Sequence, residues 1–277
     1  MTSKLFLPGG KTWGATILRP TDKDLASLKM KYLCEALAGR TGRLVEVGSS
    51  AGKHLRSLMA LGYPFEYYGI DIDMDSLNLG QRIAPSVLFV VGDGHWLPYR
   101  QESFDAVLLM DFLEHVENPK LAADEARRIL RRGGVLCMFV PCEGNPLSIY
   151  ALFKRVFGFN VKGPAGGHVQ DFRLSDIAEL VSEPGYRIVS VCYSYHVLGA
   201  LMDFVLFVFV YLSRSIETLY WRHNRYYHGA GDNSSVAVVV FNAALTCMNR
   251  LAFLESRWLR RRSHMACGVH VTLAKAC

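Results

Sequence analysis

Four acids and a run of small residues fall where short apolar segments end. The first group is Val45-Glu46-Val47-Gly48-Ser49-Ser50-Ala51-Gly52, with Glu46, Gly48, Ser50 and Gly52 at alternate positions. Small residues at a strand-to-helix turn let the backbone turn tightly and approach a ligand closely. The helix that follows would direct its N-terminal amides into the same crevice. Asp71 stands 19 positions after Gly52, about the ~20-residue spacing at which an acid meets the hydroxyl pair of a bound ribose. Two further groups close the next segments: Gly92-Asp93-Gly94-His95-Trp96-Leu97-Pro98, and Met110-Asp111-Phe112-Leu113-Glu114-His115-Val116. Taken alone, the first group fits either an ordinary glycine-bearing turn or a nucleotide loop. The three groups together favour a ribose-bearing ligand.

Such residues act together only if their strands end on one edge. The segments Arg43–Gly48, Glu66–Asp71, Val87–Val91, Phe104–Met110, Val135–Val140 and Tyr186–Tyr193 are short apolar runs without strict alternation, as expected of strands buried on both faces. Helical patterns separate them over Gly52–Leu61, Met74–Ile83 and Asn118–Arg131, the last closed by Gly133-Gly134. A capped amphipathic helix runs from Asp24 to near Gly39, and another begins at Ser175. The stretch from Pro141 to Arg173 reads as less regular. Alternation of this kind predicts a Rossmann-like, doubly wound α/β sheet, with ligands at the carboxyl ends of the strands. At 277 residues, 51% hydrophobic and 20% charged, the chain suits one globular α/β unit with an insertion and not a disordered one.

These residues, in this order from about Gly42 to Val191, resemble the class I S-adenosylmethionine-dependent methyltransferases, and especially the small-molecule branch that includes quinone methylases. Glu46-x-Gly48-x-Ser50-x-Gly52 is similar to that family's first motif, with Ser50 in place of its middle glycine. The resemblance implies a sheet that is mostly parallel with an antiparallel last strand. It also implies S-adenosyl-L-methionine as cofactor, with Glu46, Gly48, Ser50 and Gly52 in the loop and Asp71 on the ribose hydroxyls. Asp93 and Gly94 would lie by the adenine amine, and Asp111 at the methionine end. Leu113-Glu114-His115-Val116 is similar to a tetrapeptide frequent in that branch, and Arg131-Arg132-Gly133-Gly134 matches a family turn without its proline. A nicotinamide-dependent oxidoreductase is the rival, but its loop would read G-x-G-x-x-G. A non-catalytic binding module that keeps the fold is the other alternative.

A sulfonium is an activated methyl donor, so positioning does most of the work and a base is needed only where the acceptor must lose a proton. His115 at the active edge and His168 in Gly167-His168-Val169-Gln170-Asp171-Phe172 are the candidates for base and acceptor contact; Glu143 and Tyr150 rank behind them. Asp111-Phe112-Leu113-Glu114 lacks the Pro-Pro-aromatic run of enzymes that methylate nucleic-acid bases, so no nucleic-acid partner is expected. No metal is expected, because no second carboxylate or histidine cluster with ligand spacing accompanies Asp93. The seven cysteines are scattered, odd in number and without C-x-x-C, which suggests neither zinc nor disulfides. Cys142 stands apart only because it follows a predicted strand on the ligand side.

Between the sixth strand and a last one at Gly268–Ala274 lies a long apolar and basic insertion, residues 197–267. It holds two apolar segments, Val197–Leu212 and Val236–Met248. Eight arginines face three acids between Ser213 and Arg262, so most of the net charge of +6 resides there. The chain thus divides into an N-terminal segment and helix (1–41), a core (42–196), the insertion, and the last core strand (268–277). The insertion could be a soluble cap, a membrane-spanning hairpin or an interfacial element. Both segments are shorter than the ~20 apolar residues of a span, and Asp203 inside the first would be costly in lipid. Arginines beside Tyr220, Trp221, Tyr226 and Tyr227 fit an interfacial position. The expected acceptor is therefore a small lipophilic or membrane-associated molecule. Met1 to Pro20 lacks an apolar run of signal-peptide type; the expected location is the cytoplasm, and the interfacial reading of the insertion adds a peripheral position on the inner face of a membrane.

Overall fold

The computed structural model describes residues 17–212 and 236–277. Seven strands form one sheet: β1 (Gly42–Val47), β2 (Phe65–Asp71), β3 (Leu88–Val91), β4 (Phe104–Met110), β5 (Leu130–Pro141), β6 (Tyr186–Ser194) and β7 (Gly268–Lys275). Their order is β3-β2-β1-β4-β5-β7-β6. The first five are mutually parallel, and β7 runs antiparallel to both β5 and β6. This is the Rossmann-like sheet the strand pattern predicts. The order reverses at β1, where parallel neighbours lie on both sides and the crevice opens.

The apolar runs carry no alternation because both faces are buried. Val45, Val107, Leu109, Leu136 and Met138 face one core layer with Ala122, Ala126, Ile129 and Ile177. Their neighbours Leu44, Ala106, Leu108, Val135 and Cys137 face the other, with Met30, Leu33, Leu37, Leu55 and Leu58. Those partners belong to α1 (Leu25–Leu37), α2 (Lys53–Ala60), α4 (Pro119–Ile129) and α7 (Leu174–Val181); α3 (Met74–Ile83) covers the sheet near β3. Asp24 caps α1 by accepting from the Ser27 amide, and Ser27 answers with its hydroxyl.

Three local expectations change. The stretch after Pro141 contains two helices, α5 (Ile149–Phe157) and the short α6 (Lys162–Gly166); Ser148 caps α5 and Gly158 ends it in the left-handed region. α7 begins one residue before Ser175, and Asp176 there accepts from the Arg173 amide. α4 ends at Ile129, and β5 begins at Leu130, with a register shift accommodating the turn at Gly133. Cys142 is fully buried and burial pushes its thiol well up, which makes it a core residue and no nucleophile.

Between β6 and β7 stand α8 (Val197–Leu212) and α9 (Val236–Trp258), packed on each other. α9 also packs on α1 through Ala252 against Leu25 and Phe253 against Leu28 and Tyr32. The connector over 213–235, with Arg214, Arg222, Arg225 and the four aromatics named above, lies outside the described residues.

Candidate active site

The loop after β1 needs three left-handed residues in five. Gly48, Ser50 and Gly52 have φ of 72°, 48° and 74°. Ser50 thus adopts the conformation that its glycine counterpart would reach freely, at a cost of roughly 1–2 kcal/mol. Three bonds hold the loop: the Ser50 amide donates to Asp71 Oδ2 at 2.7 Å, and the amides of Gly48 and Ser49 both donate to the Ile70 carbonyl. Asp71 therefore ties the tips of β1 and β2 together. Burial raises its pKa, against amide bonds from Asp73 and Ser50. Each of its oxygens accepts an amide and keeps a lone pair for a hydroxyl.

Glu46 lies beneath this loop, 1% exposed, with Oε1 2.5 Å from His54 Nδ1 on α2. It is placed to brace the loop, and its Oε2 is buried with no partner among the described residues. Asp93, at the end of β3, is more than half exposed. Its Oδ1 accepts from the His95 amide and faces His95 Nδ1 at 2.7 Å. The His95 amide, opposed by burial and helped by the His95 ring, holds this carboxyl below its usual range.

Gly48 and Gly94 meet the same side chain. A Cβ on either would come within 2.5 Å of the Phe112 ring, so the ring lies against both loops and forms a wall between the ends of β1 and β3. Asp111, just before it, is left-handed at φ 51° and bound by Lys29 Nζ at 2.7 and 2.8 Å. Burial opposes its ionisation, but Lys29 and Lys53 outweigh it and hold the carboxyl well below the usual range. Lys29 and Phe112 were not foreseen. The signal for Lys29 was present: it occupies the stripe Leu25, Lys29, Leu33 of a helix whose other stripe residues are apolar.

His115 and His168, 53 residues apart, are neighbours with ring centroids 5.0 Å apart, edge to face. The segment after α6 clamps the turn at Leu113–His115. The Val169 and Gln170 amides donate to the Glu114 carbonyl, and Gln170 Nε2 donates to the Val116 and Glu117 carbonyls. Behind His168 runs a buried charge network: Glu143 faces His168 Nδ1 at 3.3 Å and accepts from Lys162 Nζ at 2.8 Å. Lys162 also meets Asp203 at 2.7 Å, and Tyr150 donates to Asp203. Burial raises the carboxyl pKa of Glu143, but Lys162 and His168 bring it down to about 2. Burial, with Asp111 and Glu143 near, drives Glu114 well up, and burial with His168 lowers His115. Asp203, the lone charge in an apolar helix, thus turns inward and is paired.

Residues 45–138 match the family model described as a methyltransferase domain. An uncharacterized protein of Methanocaldococcus jannaschii is 33% identical over 94 residues, 34% of this chain and 42% of that one. A demethylmenaquinone methyltransferase of Renibacterium salmoninarum is 31% identical over 94 residues, 34% of this chain and 39% of its own length. The chain spans less than half the length of these relatives. Among solved structures, the cyclase SpnF superposes with a TM-score of 0.58 at 19% identity, over 96% of this chain and 87% of that one. Phosphoethanolamine N-methyltransferase 2 of Haemonchus contortus, solved with S-adenosyl-L-methionine, superposes at 0.56 with 14% identity, over 91% and 53%. Over residues 45–138 the chain is thus similar to methyltransferase domains, on a sheet of Rossmann-like order whose strand-end loops have the form to take a nucleoside-bearing cofactor.

Proposed function

We propose that the protein transfers a methyl group from S-adenosylmethionine to a small lipophilic acceptor met at a membrane surface. The observation that carries the acceptor class is an apolar face on the inserted helices. Leu198, Leu201 and Val205 of α8 and Met248, Leu251, Leu254 and Trp258 of α9 are all exposed, Trp258 at 85%. Their spacing makes one stripe on each helix, and Arg257, Arg260, Arg261 and Arg262 follow at the end of α9. Such a pairing of apolar stripe and basic residues suits an interfacial helix. No helix among the described residues is long and apolar enough to cross a membrane. Relatives matched over part of the chain point the same way: the demethylmenaquinone methyltransferase above and a fatty-acid O-methyltransferase of Mycolicibacterium smegmatis, 34% identical over 112 residues, 39% of this chain and 40% of that one.

In this reading Gly48, Ser50 and Gly52 shape the loop around the cofactor and Glu46 braces it. Asp71 holds the ribose hydroxyls, Asp93 and Gly94 bound the adenine, and Asp111 with Lys29 meets the methionine end. The bound cofactor supplies an activated sulfonium methyl group. His115 and His168 border the acceptor's side, where an acceptor O–H or N–H passes its proton to a neutral imidazole as the methyl bond forms. Localisation follows: a peripheral protein on the cytoplasmic leaflet.

The test is incubation of the protein with methyl-labelled cofactor and a total lipid and quinone extract. Label is expected in a solvent-extractable species one methyl heavier than its precursor. Label confined to the aqueous phase overturns the acceptor class. Bound cofactor with no label transferred to any extract overturns the methyl-transfer reading and favours the non-catalytic alternative.

A further inference from the structure

Glu114, His115 and His168 form a constellation larger than a single proton-accepting imidazole needs. One ligand atom from each lies within 4.8 Å of the other two. The orientation of the rings is fixed from outside. His115 Nδ1 lies 3.2 Å from the Gly167 carbonyl, which can only accept, so this nitrogen carries the hydrogen. His168 Nδ1 faces the Glu143 carboxylate at 3.3 Å, so it too is the donor. Both Nε2 atoms are left with lone pairs, and among the described residues neither has a hydrogen-bond partner. His115 Nε2 looks at Glu114 Oε1 from 3.9 Å. Glu114 Oε2 is buried with no hydrogen-bond partner, and a carboxyl oxygen so placed calls for an explanation.

Metal-binding histidines characteristically donate the other ring nitrogen to a carboxylate or backbone carbonyl, which fixes the tautomer and the ring orientation. Both forms of that support occur here, one on each ring. Glu143 is itself held by Lys162, so the support is rigid. We propose that Glu114, His115 and His168 bind one divalent cation of the first transition row, with open positions toward the acceptor. Two imidazole nitrogens and one carboxylate suit zinc, cobalt, iron or manganese better than magnesium or calcium. Ligands of a tetrahedral ion at ~2.1 Å lie roughly 3.4 Å apart. Closing from 4.8 Å takes a small rotation, for which the His115 side chain, 40% exposed, has room. That exposed side is also the route of entry. The geometry arises only in the fold: Glu114 and His115 are adjacent, and His168 arrives through the clamp of the Val169 and Gln170 amides. With both Nε2 atoms on the cation, neither imidazole would accept a proton; the cation would instead ease the acceptor's proton loss by polarising its oxygen and lowering its pKa, a role that, unlike the binding itself, rests on the methyl-transfer reading.

The experiment is a titration of the tag-free, chelator-stripped full chain with Co2+, followed by visible absorption, with Zn2+ as competitor. One equivalent of Co2+ is expected, displaced by Zn2+. His168→Ala and His115→Gln are each expected to weaken binding at least 100-fold. Glu143→Gln, which alters only the support of His168, is expected to weaken it about 10- to 100-fold, and His264→Gln, at an exposed histidine elsewhere, to leave it unchanged. Far-ultraviolet dichroism checks that each variant is folded, and His115→Gln decides the matter should His168→Ala not fold. No saturable Co2+ or Zn2+ binding below 1 mM (roughly −4 kcal/mol), or equal binding by His115→Gln and wild type, overturns the site. Neither readout uses the methyl donor, so failure here leaves the methyl-transfer reading standing, and failed label transfer leaves the metal site standing.

Discussion

Asp71 does two things with one carboxylate. It fastens the Ser50 amide, so that a non-glycine residue stays left-handed, and it leaves lone pairs at the crevice where a ribose would lie. Asp71→Ala is therefore expected to weaken S-adenosylmethionine binding by roughly 1–3 kcal/mol, through lost charge-assisted hydrogen bonds. Calorimetry on the pair of proteins checks this, and wild-type affinity in the variant would remove Asp71 from the cofactor site. A second residue speaks through pH. His270 on β7 is buried between Tyr32 and Phe139, its Nε2 2.9 Å from Ser194 Oγ. Burial, with Lys29 near, lowers its pKa to about 3. The native state thus keeps this imidazole neutral while the unfolded state takes up a proton below the ordinary value of about 6.5. Stability is full above that value and falls as pH drops toward 3, by at most ~1.4 kcal/mol per pH unit from this group. Urea midpoints at pH 7, 5.5 and 4.5 are expected to fall less steeply for His270→Gln than for wild type, and parallel lines would contradict the assignment.

Among the elements, α8 has an unusual beginning. The amides of Val197, Leu198 and Gly199 donate to the carboxylate of Glu255, which belongs to α9. A helix start leaves four amides without partners, and a carboxylate there also meets the positive end of the helix dipole. Here the cap comes from the facing helix, so capping and helix pairing are one interaction. Glu255→Ala is expected to cost about 1–2 kcal/mol and to loosen α8 and α9 together. Urea denaturation gives the cost. Hydrogen exchange locates it: faster exchange along both helices is expected, and loss confined to the first turn of α8 would separate capping from pairing. Asn249 Oδ1 accepts from the Leu25 amide and Ser256 Oγ from the Tyr195 amide, so the inserted pair is sewn to α1 and to the end of β6.

At the scale of the whole molecule, the insertion stands beside α1, the helix that delivers Lys29 to Asp111. A surface that met lipid through α8 and α9 would thus lie one helix away from the crevice. This predicts sedimentation with anionic vesicles that high salt weakens without abolishing, because arginine–headgroup attraction is screened and apolar insertion is not. The triple variant Leu251→Glu, Leu254→Glu, Trp258→Glu changes only exposed residues. It is expected to reduce vesicle binding at least tenfold while cofactor affinity stays the same. Wild-type protein that remains in the supernatant at low salt would favour a soluble cap or an interface between protein chains.

Patterns that depend on neighbours in sequence were legible without coordinates. Apolar runs too uniform for a half-exposed sheet predicted buried parallel strands, and Val45 and Leu44 do face opposite cores. The alternate small residues of the β1 loop and the acids at strand ends also stood out, because a parallel sheet brings all its carboxyl ends to one edge. α5 was missed, because its signals, Ser148 and Gly158, lie in a stretch broken by further glycines and prolines. What depends on distant contacts could be decided only by the tertiary structure. Glu46 stands beside the loop glycines in sequence, but its burial against His54 is visible only in the fold. Asp203 looked like a charge stranded in an apolar helix until Lys162 and Tyr150 arrived from other elements to pair it. His115 and His168 were each visible as single residues, but their pairing and their shared supports required the chain to fold 53 positions back on itself. Local pattern reports which face of an element is buried; which buried groups meet is set by long-range packing, and side-chain chemistry acts at that range.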